Sequence, residues 1–429
     1  MKRHLIGIGG VGMSALATAL VRLGDEVTGA DRTLGTPNIR FLESLGVRVH
    51  PDDGSGIDAS TGEVIVSTAI EETNAGLVKA KELGIPVTHR AKALARTLKD
   101  YKLVAVVGTC GKSTVTAMLG HVLAECGLDP MCVNGANVPG WEGAVRFGKG
   151  RYAVAEVDES DKSLVAFKPY AAIVTNASAD HYSKEEMDEV FDAFVKDCEG
   201  PVIDGRNVEI WKYENGGIDE LGNGGIGEWV TPLPGKHNLQ NAALAAKMAL
   251  ALGCRAADIK RALASFRGVE RRLQLISQPL NLSTSQPAPA VYDDYAHNPE
   301  KLKAMWTTLA EKHPEGICVV WRPHGYAPLR KMMDALAAMF AETVRSCDKL
   351  LLLPVYDAGG TTDRSVNSGE LVEAIAARSS SDSSTVEFVP DLDAAYAWCA
   401  AHKGEYAAFV TCGARDPGLP ALAKRLSEM

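Results

Sequence analysis

Apolar residues along this chain come in short runs, each closed by a glycine-rich or acidic turn and followed by a stretch of helical apolar spacing. That alternation predicts strand, turn and helix in repetition, the pattern of parallel α/β sheets. Residues 1–98 open with a strand into Gly7-Ile8-Gly9-Gly10-Val11-Gly12, then a helix to about Leu23 and a second strand, Glu26 to Asp31. Val64 to Ser67 and Pro86 to Thr88 read as further strands. In residues 99–272 the run Val104 to Val107 breaks into Gly108-Thr109-Cys110-Gly111-Lys112-Ser113, and a helical pattern follows. Strands Tyr152 to Val157 and Ala171 to Thr175 each end in polar, acidic turns, and Lys236 onward begins a long Ala-rich helix. Residues 273–429 repeat the alternation with Val291 to Asp294, Cys318 to Trp321 and Leu350 to Pro354. Ser277 to Pro289 and Ser379 to Ser384 read as surface loops, and Gly216 to Gly227 is glycine-rich and poorly patterned. The expectation is three α/β domains, bounded at 1–98, 99–272 and 273–429.

The chemistry follows the turns. Gly7, Gly9 and Gly12 fill a G-x-G-x-x-G pattern, and Asp31 lies 19 residues beyond Gly12. This is dinucleotide-fold spacing: a helix N-terminus faces a diphosphate and the acid reaches a ribose or base edge. The same glycines also suit nothing more than tight strand-to-helix packing. In the second segment, Gly108 and Gly111 let backbone N–H groups approach phosphate oxygens, Lys112 supplies positive charge, and Ser113 Oγ is placed to ligate Mg²⁺. Val106 stands where the full G-x-x-x-x-G-K-[ST] pattern has its first glycine. The acids after Glu156 follow a buried-type strand, where doubly wound sheets display Mg²⁺ ligands. His181 alone reads as a structural histidine. Polar residues at the start of the Ala-rich helix (His237, Asn238, Asn241) suit a base or phosphate contact, or a cap.

Composition narrows this little. At 46% hydrophobic and 23% charged, the 429-residue chain reads as an ordinary soluble multidomain protein. A net charge of −9 argues against a general nucleic-acid or anionic-membrane binder. No apolar segment reaches membrane-span length, and no secretory pattern precedes the first strand. Nine cysteines without paired spacing suggest neither a zinc site nor a disulfide framework, so a cytoplasmic protein is expected.

Taken in order, the segments resemble the Mur ligases of peptidoglycan synthesis, in particular the alanine-adding branch. The resemblance runs through GIGGVGMSALA (7–17), TGAD (28–31), STAI with Asn74 (67–74), IPVTHRAKALA (85–95), GTCGKST (108–114) and AEVDESD (155–161). It continues through IVTNASADH (173–181), KHNLQNAALAA (236–246), GVERRL (268–273), DDYAHNP (293–299), RPHGY (322–326) and LPVYDAGG (353–360). It implies a Rossmann-like N-terminal domain, a P-loop ATPase-like central domain and a Rossmann-like C-terminal domain. It also replaces a nicotinamide dehydrogenase reading of the first turn with a UDP-sugar site formed by Gly9, Gly10, Val11, Gly12, Met13, Asp31 and Ser67.

The implied activity is an ATP- and Mg²⁺-dependent carboxylate–amine ligation, with UDP-N-acetylmuramate and an amino acid, L-alanine foremost, as partners, in a monomer or homodimer. ATP would be held by Gly108, Thr109, Gly111, Lys112, Ser113 and Thr114, with His237, Asn238 and Asn241 on the adenine side and Arg272 and Asp294 at the hinge. Ser113, Glu156 and His181 would hold Mg²⁺, the last two at the ends of strands taken to be neighbours. Lys112, Glu156, His181 and His297 would be the catalytic set, with Arg322, His324 and Tyr326 near the incoming amine. The ATP ligands then fall on two segments, so domain closure is expected to assemble the site.

Three features depart from the family pattern. Cys110 replaces a histidine, Gly325 replaces an arginine of alanine-adding relatives, and only 56 residues separate His181 from His237. These leave open two further readings: a murein-recycling ligase that adds a ready-made peptide, and a non-catalytic nucleotide-binding homologue.

Overall fold

The computed structural model describes residues 1–158, 163–177, 184–206, 211–214, 217–220, 229–277, 288–357, 363–378 and 385–429. The chain divides into two compact units, Met1–Val269 and Glu270–Met429.

The first unit carries two main sheets. The first sheet is parallel, in the spatial order Arg48–Pro51, Glu26–Asp31, Lys2–Ile6, Glu63–Val66, Val87–His89. Chain order therefore reverses at Lys2–Ile6, and the turn that leaves this strand sits at the switch point where α/β sheets bind ligands. The second sheet runs Val202–Asp204, Ala171–Val174, Lys102–Val107, Tyr152–Glu156, Met131–Val133, Val145–Arg146, parallel except for the last strand. Lys102–Val107 is buried at all but its first residue, as a central strand covered on both faces must be. Its neighbours are Ala171–Val174 on one side and Tyr152–Glu156 on the other, so the two acid-bearing strands are not adjacent. The winding of the sheet puts the strand that leads into residues 108–113 between them.

Leu5, Leu16 and Ile65 of the first sheet region share one apolar cluster with Leu103, Ala155 and Phe191 of the second, which explains why the two sheets form one compact unit. On the opposite face of the second sheet, the helix Lys112–Glu125 packs with the Ala-rich helix Lys236–Ala251. The alanines at 242, 243, 245, 246 and 249 are buried and let the two helices approach closely. Within the poorly patterned segment, Gly217–Glu220 pairs antiparallel with Trp211–Glu214, which precedes it. The sequence shows no strand there because Gly217-Ile218-Asp219-Glu220 carries one apolar side chain, too few for period-two alternation.

The second unit holds one sheet in the order Gln274–Ser277, Ala290–Asp294, Ala408–Cys412, Ile317–Trp321, Lys349–Leu352, Val386–Phe388, parallel beyond its first, antiparallel strand. Helices cover both faces over two apolar clusters. No helix among the described residues is long and apolar enough to cross a membrane, and none of the nine cysteines is in a disulfide.

Candidate functional site

At the switch point of the first sheet the glycine turn is tightly braced. Gly9 N–H donates to Asp31 Oδ2 at 2.8 Å, and Asn38 Nδ2 donates to the Gly9 carbonyl at 2.9 Å. Asp31 Oδ1 accepts from Thr33 N–H at 3.0 Å, so this carboxylate supports the turn from both oxygens. The helix Val11–Arg22 starts at Gly10 with no side-chain cap, leaving its first N–H groups for an anion. Arg90 lies across the same spot: a Cβ on Gly12 would stand 3.2 Å from its Nη1. An uncapped helix N-terminus beside a guanidinium is a place for a diphosphate. Ser67 sits just past strand Glu63–Val66 on the other side of the switch point. Met13 is 4% exposed, so its side chain serves the core and only its backbone faces the turn.

The glycine-rich loop at residues 108–113 is held from the neighbouring strand. Past Ala171–Val174, Thr175 Oγ1 donates to the Cys110 carbonyl at 2.6 Å, and Asn176 Nδ2 donates to the same carbonyl at 2.9 Å. Asn176 Oδ1 accepts from Thr109 Oγ1 at 2.7 Å and from Cys110 N–H at 2.9 Å. Gly108 adopts φ +127° and passes so close that a Cβ there would strike Thr175 Oγ1 and stand 2.9 Å from the Asn176 carbonyl. Gly111, at φ +83°, is the N-cap of Lys112–Glu125, and a Cβ there would lie 2.7 Å from Asn241 Oδ1. Lys112 Nζ donates to the Gly108 carbonyl at 2.6 Å, which keeps the ammonium over the loop. Ser113 and Thr114 are buried in the first helical turn.

Asn238 and Asn241 are buried beside the loop, linked by Asn241 Nδ2 to Asn238 Oδ1 at 3.3 Å, while Asn238 Nδ2 donates to the Pro234 carbonyl at 2.7 Å. Neither caps the helix, whose N-cap is Gly235. Burial holds the His237 imidazole below its ordinary range, so it is neutral at pH 7.

Glu156 ends its strand on the side of the loop opposite Asn176, and its Oε2 accepts from Gly135 N–H at 2.8 Å. His181 lies outside the described residues. Among the described residues no three His, Cys, Asp or Glu side chains form a metal cluster. A buried serine hydroxyl in the loop helix and a partly exposed carboxylate at the next strand end are hard oxygen donors. They suit Mg²⁺, which takes few protein ligands and completes its shell with phosphate and water.

In the second unit Asp294 ends strand Ala290–Asp294, and both its oxygens are used locally. Leu273 N–H donates at 2.6 Å and Ala296 N–H at 2.7 Å. Arg271 and Leu273 adopt positive φ around it. The turn at residues 271–273 is thus locked by Asp294, and Arg272 lies over the Tyr295 ring at 5.1 Å. His297 Nδ1–H donates to the Tyr295 carbonyl at 2.9 Å, which leaves Nε2 with its lone pair. His324 meets His297 edge-on at 4.8 Å between ring centroids. Burial first, then Lys301 and the neighbouring His324, push His297 down to about 4. Burial and Arg415 push His324 down to about 4 as well. Arg322 is committed to the fold: Nη1 pairs with Asp416 at 2.8 Å and Nε donates to the Pro354 carbonyl at 3.0 Å. Tyr326 starts the helix Tyr326–Thr343, with Arg364 over its ring at 5.8 Å.

The sequence reading did not single out Thr175, Asn176, Gly135 or Arg90. Thr175, Asn176 and Arg90 lie inside quoted motifs, but only the strand order brings them to the two loops.

The comparisons with known proteins agree over the chain. A model described as Mur ligase family, catalytic domain, matches residues 2–102, and one described as Mur ligase, glutamate ligase domain, matches residues 271–415. A UDP-N-acetylmuramate–L-alanine ligase of Agrobacterium fabrum is 32% identical, covering 96% of this chain and 93% of its own. One of Rubrobacter xylanophilus is 34% identical, covering 97% of each. Among solved structures, the UDP-N-acetylmuramate–alanine ligase of Thermotoga maritima superposes with a TM-score of 0.82 at 25% identity, covering 100% of this chain and 98% of that one. A murein peptide ligase of Psychrobacter arcticus shares the fold at a TM-score of 0.67 and 19% identity.

Proposed function

This chain belongs to the Mur ligase family, and on that premise we propose that it joins L-alanine to the lactyl carboxylate of UDP-N-acetylmuramate at the expense of ATP. The observation that carries the proposal is identity of about a third over nearly the whole length of ligases with that activity. The braced loop, with Lys112 held over it, supports the nucleotide binding that this reading requires.

In this reading residues 1–98 hold the sugar nucleotide, with the diphosphate at the Val11–Arg22 N-terminus beside Arg90. Residues 99–272 hold ATP, and residues 273–429 receive the amine. The carboxylate attacks the γ-phosphorus, ADP leaves, and the amine then displaces phosphate from the acyl phosphate to form the amide. Both partners of the first step are anions, so the site must offset negative charge before they meet. Lys112 and the loop N–H groups supply part of that offset. Mg²⁺, held through Ser113 and Glu156, would supply the rest as a Lewis acid on the phosphate oxygens.

Water must be excluded from the acyl phosphate, which it would otherwise hydrolyse. His297 receives the amine. A ring that protonates only near pH 4 is a weak base, so its Nε2 lone pair accepts an N–H hydrogen bond from the incoming amine and orients it. Glycine at 325 leaves the amine pocket without the arginine of relatives.

The test is phosphate release from ATP and Mg²⁺ with UDP-N-acetylmuramate and a panel of L-amino acids and the recycling tripeptide. Release that requires the sugar nucleotide and L-alanine, and that Lys112→Ala abolishes, is the expected outcome. Release with the tripeptide alone would transfer the chain to the recycling ligases. No release with any amine would leave a binding protein.

A further inference from the structure

We propose that Gly135 is a positioning residue that holds the Glu156 carboxylate for its cation. This rests on the reading of Glu156 as a Mg²⁺ ligand. Strands Met131–Val133 and Tyr152–Glu156 run parallel with Val133 opposite Ala155, so the residues just past this pair meet at the sheet edge. There Gly135 N–H donates to Glu156 Oε2 at 2.8 Å. The turn that aims this N–H is fixed by buried Asn134, whose N–H donates to the Ala144 carbonyl at 2.9 Å and whose Nδ2 donates to the Ala136 carbonyl at 3.1 Å.

Space makes the same point independently. A Cβ on Gly135 would fall against Glu156 Oε2 and stand 2.6 Å from both Cδ and Oε1. Gly135 does not adopt positive φ, so backbone strain does not demand glycine here. The carboxylate does. One oxygen held by a neutral backbone donor fixes the carboxylate plane and leaves its full negative charge for a cation, as outer partners of metal ligands commonly do.

The three atoms nearest to a Cβ at 135 all belong to the end of the flexible Glu156 side chain, so the Gly135→Ala variant is expected to fold. Calorimetric binding of a non-hydrolysable ATP analogue, titrated with Mg²⁺ and without it, reads the effect. The Mg²⁺ concentration for half-saturation should rise by about 10–100-fold, the usual penalty for losing an outer-shell partner. Binding without Mg²⁺ and the melting temperature should stay near wild type.

Glu156→Gln separates the outcomes. If Gly135 acts through Glu156, Gly135→Ala adds nothing in the Glu156→Gln background. An equal penalty in both backgrounds, or an unchanged Mg²⁺ requirement in Gly135→Ala while Glu156→Gln raises it, overturns the proposal. An unchanged requirement in Glu156→Gln removes Glu156 from the metal site, and the proposal falls with that reading. Should Gly135→Ala not fold, Glu156→Asp draws the carboxylate back by one methylene and breaks the same contact. It too should raise the Mg²⁺ requirement, and a wild-type value would overturn the idea.

Discussion

At the scale of single residues, two kinds of position matter here: backbone positions that tolerate no side chain, and imidazoles kept neutral. Gly108 is the first kind. Its positive φ and its contact with Thr175 and Asn176 leave no room for a methyl group. Gly108→Ala should lose roughly 1–3 kcal/mol or more, the cost of forcing an L residue into that region, with nucleotide affinity lost as well. Thermal unfolding and nucleotide titration check this, and a variant with wild-type values for both would refute the packing described. His297 and His324 are the second kind. Their pKa values of about 4 lie below the unfolded value of 6.5, so the unfolded chain binds protons first as pH falls. Their contribution to stability is complete above pH 6.5 and is lost between 6.5 and 4. The urea midpoint of the wild type should fall more steeply across that window than the midpoint of His324→Gln. Parallel curves would mean that His324 titrates normally.

At the scale of elements, the proposed phosphate loop is only as good as the strand end beside it. Its glycines make the turn possible, but its shape comes from the hydrogen bonds that Thr175 and Asn176 make to residues 109 and 110. Asn176→Ala removes three of these at once. At about 1 kcal/mol each, nucleotide affinity should fall by at least tenfold while Lys112 and the glycines stay in place. Equilibrium binding of an ATP analogue measures it, and undiminished affinity would show the loop to be self-supporting. This bracing was not legible in the sequence. The motif IVTNASADH was visible, but which strand neighbours the loop depends on sheet order, and the acid-bearing strands looked adjacent when in fact the loop strand lies between them.

At the scale of the whole molecule, the proposed sugar-nucleotide site lies wholly within Met1–Val269, at the switch point of its first sheet. UDP-N-acetylmuramate at a hundred times its dissociation constant should stabilise that unit by about 2.7 kcal/mol. In scanning calorimetry the unfolding of this unit should move to higher temperature in the presence of the ligand. A shift confined to Glu270–Met429 would place the sugar nucleotide elsewhere.

The class of fold and the position of the two glycine-rich turns were legible in the sequence, because both are local. Strand and helix periods, the two glycine-rich turns and Lys112-Ser113 are written in consecutive residues, and their spacing is fixed by the geometry of a strand–turn–helix unit. Only the tertiary structure decided what those turns lean on. Asp31 folds back onto Gly9, Asp294 locks the turn at Leu273, Arg322 is bound to Asp416, and Gly135 meets Glu156. Each pairing joins residues about 20 to 94 positions apart. Contacts of that range depend on which strands lie side by side and on the space left between packed elements, and neither is encoded in any single stretch of chain.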